Sequence, residues 1–83
     1  MMEKLVNATV LRDSEKGILL RITMDRPAPV LEEEWFPKSA VFVEEDINGV
    51  PIPGGDIYAE TWILIKVQEK HHDYVLTDNK EKY

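Results

Sequence analysis

Apolar and polar side chains alternate along most of this chain. Val6, Ala8 and Val10 share one side of residues 5–12, and Asn7, Thr9 and Leu11 the other, which is the two-residue period of a half-buried strand. Asp13-Ser14-Glu15-Lys16-Gly17 is turn chemistry, with a glycine able to take a positive φ. GILLRITM then repeats the period, with Ile18, Leu20, Ile22 and Met24 inward and Leu19, Arg21 and Thr23 outward. These two strands are expected to pair antiparallel. Pro27 and Pro29 bar residues 25–33 from helix interiors and central strands, so this stretch reads as a stiff connection.

A third strand is expected from about Glu34 to Glu44. Asn48-Gly49 is a strong signal for a tight hairpin turn, and Pro51 and Pro53 suit a short edge strand facing water. The longest strand is expected over 57–69, with Thr61, Ile63, Ile65 and Val67 on one face and Trp62, Leu64, Lys66 and Gln68 on the other. Its β-branched and aromatic residues favour strand over helix. His71-His72-Asp73 reads as a turn, and Tyr74–Thr77 as a last short strand. The pattern predicts an all-β domain over 1–77 and a flexible charged tail over 78–83. Closure removes sheet edges, so the expected fold is a small five-stranded OB-like barrel with an extra hairpin between strands 3 and 4. An SH3-like barrel is the alternative.

Composition narrows the function. The 83 residues suit one small core. There is no cysteine, hence no disulfide or thiolate metal site, which fits a reducing compartment. MMEKLVNATV lacks the pattern of a signal peptide, and the apolar stretch around WILIKV is too short for a membrane span, so a cytoplasmic location is expected. Sixteen acidic residues against ten basic give a charge of −6, opposite to that of a general nucleic-acid binder. P-loop, dinucleotide-turn, nucleophile-elbow and zinc patterns are all missing, and the chain reads as a non-enzyme without cofactor or metal.

The stretch EEEWFPKSAVFV concentrates the candidate chemistry. Trp35-Phe36-Pro37-Lys38-Ser39, preceded by a strand pair like GILLRI and followed by Trp62, resembles a group of short phage and prophage proteins. More distantly, VNATVLRDSEKGILLRI with its aromatic-x-Pro-x-Ser sequence is similar to the OB-fold RNA-binding repeats of a small-subunit ribosomal protein. The first resemblance implies a viral or prophage origin, and with it the host cytoplasm. The second implies the fold more than the activity, because the acidity is wrong for RNA.

Two functions follow as expectations. In the first, Glu32, Glu33, Glu34, Glu44, Glu45, Asp46, Asp56 and Glu60 form an acidic rim that steers a basic protein partner, with Trp35 or Phe36 as the apolar anchor. In the second, an outward Phe36 joins Arg21, Lys38, Trp62 and Lys66 in a stacking platform for single-stranded nucleic acid. A weaker third is self-association through the Val50–Pro53 edge or the Trp62–Leu64 face.

Overall fold

A computed structural model describes residues 1–78. Its strands are β1 (Met2–Lys4), β2 (Thr9–Asp13), β3 (Gly17–Asp25), β4 (Val30–Pro37), β5 (Val41–Val43), β6 (Ile57–Glu60) and β7 (Tyr74–Val75). A 3-10 turn at Lys38–Ala40 links β4 to β5, and one helix, α1 (Thr61–His71), follows β6. One antiparallel sheet has the order β1-β6-β5 and the other β2-β3-β4, with β7 on the far end of β3. The fold is therefore mainly β, as the alternation implies, but it is two sheets and a helix rather than a closed five-stranded barrel. The tail expected over 78–83 falls, beyond Asp78, outside the described residues.

β3 organises the molecule. Ile18, Leu20, Ile22 and Met24 are buried in the alternation the sequence predicts. β2 pairs with it antiparallel from Thr9↔Arg21 to Asp13↔Ile18, with a bulge between Val10 and Arg12. Ser14 closes the turn, its N–H and Oγ–H both donating to the Gly17 carbonyl at 2.9 and 2.8 Å. Gly17 does not take a positive φ. A side chain there would instead meet the Phe36 carbonyl oxygen at 3.1 Å.

Several boundaries differ from the pattern. The first strand is split: β1 ends at Lys4, Asn7 turns the chain in a left-handed conformation (φ 55°), and β2 begins only at Thr9. The connection after β3 is just 26–29, because Pro29 still allows the chain to re-enter the sheet at Val30. The expected 34–44 strand is cut at Pro37, where the 3-10 turn redirects the chain into the other sheet. Asn48-Gly49 does make the turn, with Gly49 at φ 77° and Asp46 Oδ1 accepting from the Asn48 and Val50 amides at 2.8 and 3.0 Å.

The largest correction is α1, which replaces most of the expected 57–69 strand. Met2 pairs with Glu60 and Val41 with Ala59, so among the described residues no flanking strand continues beyond Glu60. Backbone groups past that point must bond within their own segment, and a helix does this. The same residues suit it: Ile63, Leu64 and Val67 fall on one buried face, while Trp62, Ile65 and Lys66 are exposed. Lys70 and His71 sit in the last turn, where cations favour the helix dipole, and His72 caps it in the left-handed region (φ 57°).

After β7 the chain joins the sheets. Leu76 N–H donates to the Thr23 carbonyl, Val6 N–H to that of Leu76 and Asp78 N–H to that of Lys4, at 2.9–3.1 Å. Leu5 bridges Thr77 in the same run.

Phe36 and its neighbour Trp35 provide the stability test. Phe36 is 1% exposed and Trp35 51%. Phe36→Ala should cost about 3–5 kcal/mol and Trp35→Ala no more than about 1 kcal/mol, read as shifts in the urea midpoint. Equal losses would contradict this placement.

Candidate functional site

Along β4 the side chains alternate with register. Glu32, Glu34 and Phe36 lie opposite Ile22, Leu20 and Ile18, on the core side, while Glu33 and Trp35 lie opposite Arg21 and Leu19. The three consecutive glutamates therefore divide. Glu33 meets Arg21 at 3.7 Å on the outer face, and Glu32 meets Arg26 at 3.6 Å, with Arg26 also donating to Asp73 at 2.6 Å.

Glu34 is buried and clamps α1 to β4. His71 Nε2–H donates to Oε1 at 2.5 Å, and Lys70 Nζ approaches Oε1 at 3.0 Å and Oε2 at 3.2 Å. Burial alone would push the Glu34 carboxyl above its ordinary range. The hydrogen bonds from His71 and Lys70 and their charges outweigh burial, and hold it below.

The remaining acids also have local roles. Asp46 shapes its own turn, Glu44 Oε1 accepts from the Asp56 amide at 3.2 Å, and Glu60 lies 3.3 Å from the amino terminus. Asp56 and Asp78 flank Lys4 at 3.5 and 3.7 Å and raise its pKa, Asp56 more than Asp78. Each of these acids is thus held by a local contact. Glu45 is different: it is exposed and lines a groove described below.

The nucleic-acid platform does not assemble. Phe36 is in the core, Lys38 lies 2.8 Å from Asp13, Arg21 is paired with Glu33, and Lys66 sits over the Trp62 ring at 5.8 Å on α1. Trp62 is exposed but Leu64 is buried, so the expected Trp62–Leu64 face is not one surface.

A groove that the strand count did not foresee lies between β2 and β5. A cavity of about 350 Å³ is walled by Ala8, Thr9 and Val10 on one side and by Val43, Ile57 and the 51–55 loop on the other. A second, of about 180 Å³, continues it past Ile18, Val41 and Phe42 to Asp13, Lys38 and Glu45. Val43 and Pro51 line both. Both strands are sheet edges, and among the described residues no backbone hydrogen bond joins them. Phe42, Val50 and Ile52 add exposed apolar surface nearby. Lys38, the cation in the groove wall, is paired with Asp13, and among the described residues Glu45 makes no ion pair.

No family model, curated protein or solved structure matches this chain. The groove must therefore be read from its own chemistry. Among the described residues no cluster of His, Cys, Asp and Glu could hold a metal ion, and no helix is long and apolar enough to cross a membrane.

The Glu34 clamp gives a pH prediction. Its folded pKa lies below the ordinary value, so its contribution is present above the ordinary glutamate range and is lost as pH falls through the folded value. Glu34→Gln should cost about 1–3 kcal/mol at neutral pH and flatten the acid limb of a urea-midpoint-against-pH curve. An unchanged acid limb would remove Glu34 as its source.

Proposed function

We propose that this chain is a non-enzymatic interaction module that binds a basic protein through the groove between β2 and β5. The observation that carries this is the coincidence, in one place, of apolar walls, free strand edges and a carboxylate, Glu45, that makes no ion pair among the described residues. Val10, Val41 and Val43 are only partly buried and pack against the core, so a ligand entering the groove would extend the core rather than lie on a flat surface. Such burial supplies residence time, while the net charge of −6 steers a cationic partner toward it. A segment bound there would also complete the wrap of strands that an OB-like pattern calls for. The phage resemblance of Trp35-Phe36-Pro37-Lys38-Ser39 fits a small module that modulates a host protein in the host cytoplasm.

The reading is tested by selecting an unbiased displayed peptide library on the full chain, at low and at physiological salt. Enriched sequences should be rich in Lys and Arg and should lose affinity as salt rises. Glu45→Lys should weaken the best of them by about tenfold and reduce their salt dependence. Enrichment without basic character would overturn the proposal. So would salt-sensitive binding of short single-stranded oligonucleotides with tryptophan quenching.

A further inference from the structure

We infer that the groove takes its ligand as an added β-strand, paired with the free edge of β2, in which apolar residues alternate with basic ones. This rests on the reading above and specifies the form of the partner.

The pairing edge is β2 because it is the longer of the two, five residues against three in β5. Its residues Thr9–Asp13 are hydrogen-bonded on the β3 side, and their outward-facing amides and carbonyls have no partner strand among the described residues. An extended segment can satisfy such an edge with main-chain hydrogen bonds, leaving its side chains to supply specificity.

The walls then fix the side-chain pattern. Val41 and Val43 are two residues apart on β5, paired with the buried Ala59 and Ile57, so they share the core-facing side of their strand. Val43 faces both cavities and Val41 only the second. A ligand strand would therefore place side chains two positions apart against them, one in the cavity of Val10 and Ile57, the next in that of Ile18 and Val41. The intervening side chains point away from the core toward solvent, where the net charge of −6 favours Lys or Arg.

A second copy of this chain is a poorer occupant. Each copy carries a net charge of −6, and like charges across an interface oppose association. A basic strand meets no such penalty.

The experiment uses the full chain and four fluorescein-labelled peptides. The parent alternates Lys with Val and Ile. Its acidic twin carries Glu for every Lys. Two further twins carry N-methyl groups on every second amide, one in each register, which removes the donors along one edge of the peptide. The parent should bind with salt-sensitive affinity, the acidic twin about tenfold or more weaker, and at least one N-methylated twin weaker by about tenfold or more. If both methylated twins bind like the parent, strand addition is overturned while the basic-partner reading survives. If the acidic twin binds as well as the parent while methylation still weakens binding, strand addition stands and the charge reading falls. Absence of parent binding would overturn strand addition, as would a stable dimer of the chain that the parent peptide does not dissociate.

Discussion

Burying Ile18, Leu20, Ile22 and Met24 along one nine-residue strand demands cover over the whole length of β3, and the other elements supply it. Phe36 covers Ile18 from β4, where the two residues are in register. Ile57 and Ala59 of β6, with Ile63, Leu64 and Val67 of α1, complete the same buried cluster. Each large side chain taken fully out of water contributes about 1.5–3 kcal/mol, so a core of this size leaves little to spare against chain entropy. That is why the position of α1 matters and why a buried carboxylate is tolerated. Glu34 fixes the C-terminal turn of the helix against β4, and its hydrogen bonds to Lys70 and His71 outweigh what its burial costs the charged form.

The cover is incomplete in one place. β5 has three residues and β2 carries a bulge after Val10, so few backbone groups are available in register to close the seam between them. Pro51 and Pro53, in the loop that walls the groove, lack donors and further discourage pairing. The groove is thus a consequence of how the strands end. Its acidity is local as well as global, because Lys38 in its wall is paired with Asp13 while Glu45 makes no ion pair among the described residues.

Much of this was legible in the chain. The alternation through GILLRITM gave the buried row, Ser14 to Gly17 gave the turn before it, and Asn48-Gly49 gave the later turn. The helix was hidden because Ile63 and Val67 are four residues apart, a spacing that fits both a strand and a helix. The lack of neighbouring strands beyond Glu60 among the described residues decides between them, and that is a tertiary fact. The run Glu32-Glu33-Glu34 announced charge but not its use, since Lys70 and His71 are more than thirty residues away. The orientation of the Trp35-Phe36 pair needed the register of β4 on β3, which the start of β4 at Val30 sets. The groove had no sequence signal beyond the prolines, because it is a gap between two strands rather than a pattern within either.

The hydrogen bonds that join the two sheets run through residues 76–78, which reach back to Thr23 on one side and to Lys4 and Val6 on the other. During synthesis, β2, β3 and β4 can meet as neighbouring hairpins long before Leu5 finds Thr77. Without residues 76–78 in place, the first sheet lacks these hydrogen bonds to the second. A contact between residues more than seventy positions apart is thus what finally shields the core, and it carries a large loop-closure cost.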